Sequence, residues 1–235
     1  MKKIYTAGLF LIPFFFIIYL IQFQPRATAV LSFWIGRNQI VPCHFLPANQ
    51  TFFCREGNAK NIFASFMKNN QLLIDNKKQF SSADWLGLGI YLSELKFTSW
   101  EKIYPQYSEE VIKLIIDGFS FAETMSLTTF QITKLPDCQY FENRFQDACK
   151  FGIGRAIYFR ENQDISKIIE KISGLEKHQS ILRGIGFASL YAGNENINYS
   201  SNPNILEGRK IAGLFINPTS CNENVTHFLT CLDKN

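Results

Sequence analysis

The sequence predicts a mainly α-helical fold: a right-handed array of helical hairpins of the tetratricopeptide or α-solenoid type, following an N-terminal transmembrane or signal helix, with a short irregular or β-hairpin segment at about residues 38–56. Three observations point there. A glycine-bearing block recurs as Gly87-Leu88-Gly89-Ile90-Tyr91, Gly118-Phe119-Ser120-Phe121-Ala122, Gly152-Ile153-Gly154-Arg155-Ala156 and Gly184-Ile185-Gly186-Phe187-Ala188, with a worn fifth at Gly213-Leu214-Phe215. The first glycines lie 31, 34, 32 and 29 residues apart, the length of two short helices and two turns. Between the blocks, apolar residues return at helical spacing.

The division that follows is a signal anchor or signal peptide at 1–29, a disulfide-closed hairpin or loop at 30–56, and an α-helical repeat domain at 57–235. Met1-Lys2-Lys3 precedes an uncharged apolar run from Ile4 to Gln24, broken only by Pro13 and long enough for a bilayer, which needs about 20 residues. The lysine pair places the N-terminus in the cytoplasm and the rest outside it, in the periplasm or beyond. Ala27-Thr28-Ala29 also reads as a signal-peptidase site, so anchored and secreted forms are both open.

Six cysteines in three local pairs, Cys43 with Cys54, Cys138 with Cys149 and Cys221 with Cys231, fit an oxidising compartment. The first pair brackets a turn at Leu46-Pro47-Ala48-Asn49-Gln50. The second needs a turn between its members, because eleven residues of unbroken helix span about 16 Å and a disulfide does not. Metal binding through His44 or His227 is disfavoured by the absence of any CxxC pair, so no metal is expected.

From Asn58 the spacing turns helical, with Ile62, Phe63, Phe66 and Met67 in one stripe. Ser82 or Asp84 caps the next helix, which carries Trp85, Leu88 and Leu92. Ser108-Glu109-Glu110 opens another, with its acids at the positive end of the dipole. After Pro136 a loop holds Cys138, and helix resumes near Asn143. Asp164 caps a helix bearing Ile165, Ile168, Ile169 and Ile172; one more runs from about Lys177 to Ala192, and a last from Ile205.

An interior glycine costs a helix about 1 kcal/mol, so seven in apolar helical segments require a compensating gain. Close packing supplies it. Gly87 in the first block, and Gly118 with Ala122, Gly152 with Ala156 and Gly184 with Ala188 in the others, thin one face, while Gly89, Ser120, Gly154 and Gly186 thin the opposite one. Such a helix suits a stack with a neighbour on each side. A dinucleotide loop would want a further glycine where Leu92, Ile157 and Ser189 stand, so no nucleotide cofactor is expected.

Net charge is +4, with lysines and arginines interspersed among acids, which gives no nucleic-acid face. Asp117, Glu123 and Arg155 are the candidate polar site. A guanidinium and carboxylates on thin helices either order a buried interface as ion pairs or line a cleft for an anion. No nucleophile and base stand in a catalytic pattern, so no catalytic residue is assigned.

The blocks resemble a bacterial family called domain of unknown function 1702, noted beside enediyne polyketide gene clusters. Asp117-Gly118-Phe119-Ser120-Phe121 is similar to its D-G-aromatic-x-F-H block. Gly152-Ile153-Gly154-Arg155 with Tyr158-Phe159 is similar to its G-L-G-R block, and Gly184-Ile185-Gly186-Phe187-Ala188 with Tyr191-Ala192-Gly193 to its last. The likeness spans about residues 57–216, and Ala122 stands where the family has histidine. The expectation is an exported, non-catalytic repeat protein at the outer face of the cytoplasmic membrane, in the bacterial cell envelope, binding a protein partner or an apolar ligand. The resemblance implies a second reading, an accessory factor or enzyme of secondary metabolism.

Overall fold

The computed structural model describes residues 25–68, 71–72, 80–128, 135–161, 165–173, 178–192 and 202–216. The apolar run from Ile4 to Gln24, the Cys221 and Cys231 pair, His227, and the expected helix boundaries at Asp164, Gly174 and Gly193 lie outside these residues. The described chain is mainly helical. Its elements are α1 (Pro25–Arg37), α2 (Ala48–Phe63), α3 (Ser82–Glu94), the single turn α4 (Trp100–Ile103), α5 (Glu109–Ser126), α6 (Gln146–Arg160), α7 (Ile165–Ser173), α8 (Gln179–Tyr191) and α9 (Pro203–Ile216). No described helix is long and apolar enough to cross a membrane.

The segment expected as a β-hairpin is helical instead. Only a loop with one 3-10 turn, Cys43–Phe45, separates α1 from α2, and the Cys43–Cys54 disulfide ties that turn to α2 with Cα atoms 5.5 Å apart. Proline at 47 stands just before the first helical residue, and Thr51 Oγ1 donates toward Pro47 O one turn back, which starts the helix ten residues before Asn58. Helix α2 therefore runs across the expected boundary at 56/57. It gives way to a 3-10 turn and a two-residue antiparallel pairing, Met67–Lys68 with Gln71–Leu72.

Helix α3 is capped by Ser81, one residue ahead of the expected cap. The Ser81 hydroxyl accepts from the Asp84 backbone N–H, and the Asp84 carboxylate accepts from the Ser81 N–H, a reciprocal box that satisfies two orphan donors. Ser108 caps α5 as the sequence suggests. A 3-10 turn at Cys138–Tyr140 supplies the bend between Cys138 and Cys149, and their disulfide binds that turn to α6.

The long helices pack in succession: α1 on α2, α2 on α3, α3 on α5, α5 on α6, α6 on α8, α8 on α9. The repeat is thus one glycine helix plus a shorter connector such as α4 or α7, rather than two equal helices. Trp100 of α4 meets Phe119 and Phe141 edge to face and covers the core on that side. The row also bends back on itself, because Phe53 of α2 packs against Phe159 of α6 and Tyr191 of α8.

Glycine sets the separation at each step. A Cβ on Gly118 would fall 1.9 Å from Leu86 O in α3, and one on Gly89 would fall 2.0 Å from Ile115 O in α5. Gly154 and Gly184 answer each other across α6 and α8, each with its added Cβ 3.0 Å from the other's Cα. In the blocks at 87, 152 and 184 the first glycine faces the preceding helix and the second faces the following one. Contact this close brings Cα–H groups against carbonyl oxygens, a weak attraction of its own. Ala156 and Ala188 are buried beside these contacts.

One such crossing lies wholly outside the expected blocks. Gly36 meets Cys54 O and Gly57 meets Phe33 O, which closes α1 on α2. At the other end the worn block is misplaced: Gly213 has only Leu190 Cδ2 at 3.8 Å, whereas Gly208 meets Arg183 O at 1.9 Å and answers Gly186 across the α8–α9 crossing.

Candidate functional site

Three charged side chains meet inside the bend. Arg155 of α6 is 1% exposed, Glu56 of α2 is 2% exposed and Asp117 of α5 is fully buried. Arg155 Nη2 donates to Glu56 Oε1 at 2.6 Å and Nη1 donates to Asp117 Oδ1 at 2.9 Å. The guanidinium also lies 5.0 Å from the ring centre of Phe121. Both acids belong to residues whose backbone carbonyl meets a glycine of the next long helix. Glu56 O sits against Gly87 of α3, and Asp117 O sits against Gly152 of α6.

The structure joins Asp117 with Arg155 but leaves Glu123 apart. Glu123 accepts from Ser93 Oγ at 2.6 Å and from Lys96 Nζ at 3.3 Å, nearly two turns beyond Asp117 on α5 and on a different face. The anion cleft is ruled out at Arg155, whose guanidinium is turned inward onto two carboxylates. Glu56, the third member, is not apparent from the glycine blocks, since it lies 99 residues from Arg155 and ahead of the first block. One signal was present: an acid immediately before a glycine, in Glu56-Gly57 as in Asp117-Gly118. That signal is not specific, because Glu207-Gly208 has the same form and Glu207 pairs with Arg183 at the surface.

Two acids around one guanidinium leave one formal negative charge in a buried place. Burial is the largest influence on both carboxyls. It raises Glu56 above the ordinary range against the opposing pull of Arg155, and it raises Asp117 from 3.8 to about 7, again against Arg155 and with repulsion from Glu56 added. The Arg155 guanidinium is held more firmly protonated than usual, because the fields of Asp117 and Glu56 outweigh its desolvation. Asp117 Oδ2 has no hydrogen-bond partner among the described residues.

Beside this triad lies an apolar cavity of about 570 Å³. Ala29, Val30 and Phe33 of α1, Phe53 of α2, Phe121 of α5 and Phe159 of α6 form its greasy wall, and Glu56 is a buried charged group set into it. Arg37, Ser93, Glu94 and Lys96 contribute polar lining. Arg37 is engaged by Glu94 at 2.7 Å. Ala122, which replaces the histidine expected from the resemblance, lines the same cavity, so a methyl group stands where an imidazole would take up space.

The fold and this site define a class of protein: a row of helices drawn together by glycine, with a buried acid–arginine–acid triad on the wall of an apolar cavity. Residues 61–202 match the family described as Protein of unknown function (DUF1702), and the chain belongs to that family. Asp117 and Arg155 fall inside the matched range and Glu56 just ahead of it. No curated protein and no solved structure matches the chain. The two disulfides place the described domain in an oxidising, extracytoplasmic environment.

Proposed function

We propose that the protein is a non-catalytic binder of an apolar ligand, built as a solenoid-like helical array and held at the outer face of the cytoplasmic membrane by a retained N-terminal anchor. The observation that carries the reading is the cavity, whose roughly 570 Å³ lies within the range of about 300–1,000 Å³ typical of small-molecule sites and whose wall is mostly aromatic and aliphatic.

Retention of the anchor is supported by the first turn of α1. Thr28 and Ala29 are buried, and Arg26 stacks on the Tyr158 ring at 4.0 Å, so cleavage after Ala29 would remove residues on which the domain packs. Val30, Leu31 and Trp34 are exposed on α1, just beyond the apolar run, an arrangement suited to the lipid interface. Val30 also lines the cavity, so the membrane-facing helix and the ligand site share a wall.

The test is an environment-sensitive apolar dye, phenylnaphthylamine, titrated into the full chain in nanodiscs. Wild type is expected to enhance its fluorescence saturably above that of empty nanodiscs, and Ala122→Trp, which fills the cavity, to abolish the enhancement with unchanged circular dichroism. Equal enhancement by both proteins would dispose of the site. The second reading, a factor or enzyme of secondary metabolism, draws on one observation, a Glu56 carboxyl with raised proton affinity on the cavity wall. Under it, Glu56→Gln would abolish a biosynthetic phenotype while dye binding persisted.

A further inference from the structure

We propose that the cavity receives an amphiphile with a cationic head, an alkyl amine whose ammonium is taken by Glu56 while its chain lies along the apolar wall. The inference rests on the cavity being a ligand site and specifies the chemistry of the ligand.

The Glu56 carboxylate is nearly sealed from solvent yet forms part of the cavity lining. Only its Oε1 is spoken for, by Arg155; no hydrogen bond reaches Oε2 among the described residues. The neighbouring charges do not balance the site. Asp117 of α5 adds a second acid to the one guanidinium of α6, and the cations that remain are committed elsewhere. Arg37 of α1 pairs with Glu94 of α3, Lys96 after α3 pairs with Glu123 of α5, and Arg26 of α1 lies over Tyr158. A buried, unbalanced carboxylate is costly, so the site binds a proton more readily than a free carboxyl does, in line with the raised affinities of both acids.

An ammonium replaces that proton with a full charge and a donor. A hydroxyl offers one neutral hydrogen bond, and a carboxylate head is repelled. Hydrogen bonds to a charged partner are the stronger kind, so the expected order of affinity is amine, alcohol, acid. The chain has its own place against Ala29, Val30, Phe33, Phe53, Phe121 and Phe159.

The experiment is calorimetry of octylamine, octanol and octanoate with the full chain in nanodiscs, with empty nanodiscs as the blank. At about pH 8 octylamine is expected to bind about tenfold more tightly than octanol, with octanoate weakest. Lowering the pH leaves the amine charged but favours a proton on the Glu56 carboxyl, so the amine advantage shrinks while octanol is unaffected. Glu56→Gln is expected to erase the advantage and leave octanol binding intact. If octanol equals octylamine at the higher pH, or the variant keeps the preference, the amine inference is overturned while the ligand site stands. Failure of both octylamine and octanol to bind would overturn the site as well. Should Glu56→Gln not fold, the pH series on the unaltered chain decides.

Discussion

The α6–α8 crossing is closed by glycine from both sides, Gly154 and Gly184, whereas the α5–α6 crossing is closed by Gly152 alone against the backbone of Asp117. The α2–α3 crossing is of the second kind, with Gly87 set against Glu56 O and the Ala59 methyl. Where glycine answers glycine, the contact is backbone on backbone. Where it comes from one side only, the partner helix presents an acidic residue, and the two acids brought in this way are the ones that share Arg155. A missing side chain thus sets the helix spacing, and the two buried acids stand at the crossings where it comes from one side only.

Adding side-chain bulk should break the two-sided crossing most severely. Gly184→Val places atoms against Phe151 O, where even a Cβ would fall at 2.1 Å, and is expected to cost about 3 kcal/mol or more, read as a fall in the denaturation midpoint. An unchanged midpoint would mean that the helices slide apart freely. Arg155→Met addresses the one-sided crossings, because it leaves Glu56 and Asp117 buried without a counter-charge, at about 3–5 kcal/mol. Adding Glu56→Gln and Asp117→Asn to that variant should return much of the loss, and a triple variant no better than the single would show that the acids contribute little.

A more gradual effect, spread over several pH units, separates the crossings by pH. Since Asp117 binds its proton more tightly folded than unfolded, its folded pKa lies above its unfolded one, and stability falls as pH rises from about 4 to about 7, on the order of 1 kcal/mol per pH unit at the steepest. Above that window both states are ionised and the dependence ends. Asp117→Asn should flatten this slope, and a slope that survives the change would place its source elsewhere. The smallest effect belongs to Gly213→Ala, where an added Cβ meets only Leu190 Cδ2 at 3.8 Å and relief of the helical glycine should stabilise by up to about 1 kcal/mol. Destabilisation there would restore Gly213 to the series of crossings.

Several of these features were legible in the residues. The recurrence of Gly87, Gly118, Gly152 and Gly184, each with a small residue two positions on, announced helices thinned on both sides, because helix geometry alone puts those positions on opposite faces. Two cysteine pairs could be read from their spacing. Other features resisted. Gly208, between Glu207 and Arg209, has no second glycine beside it, and Gly36 and Gly57 stand singly, so nothing periodic marked these three glycines. Helix α2 was hidden by its turn-like start at Pro47 and Asn49.

By itself the sequence determined the local matters: helix as the dominant state, the period of the glycine segments, the closeness of approach, and the oxidised cysteines. These follow from backbone geometry and short-range covalent spacing. Only the tertiary structure decided that Glu56 joins Asp117 on Arg155, that Glu123 turns instead to Ser93 and Lys96, and that an apolar cavity opens beside the triad. The reason is the curvature of the row. How far successive helices rotate at each close contact fixes which distant side chains meet inside the bend, and that rotation is a property of the packed surfaces rather than of any one stretch of chain.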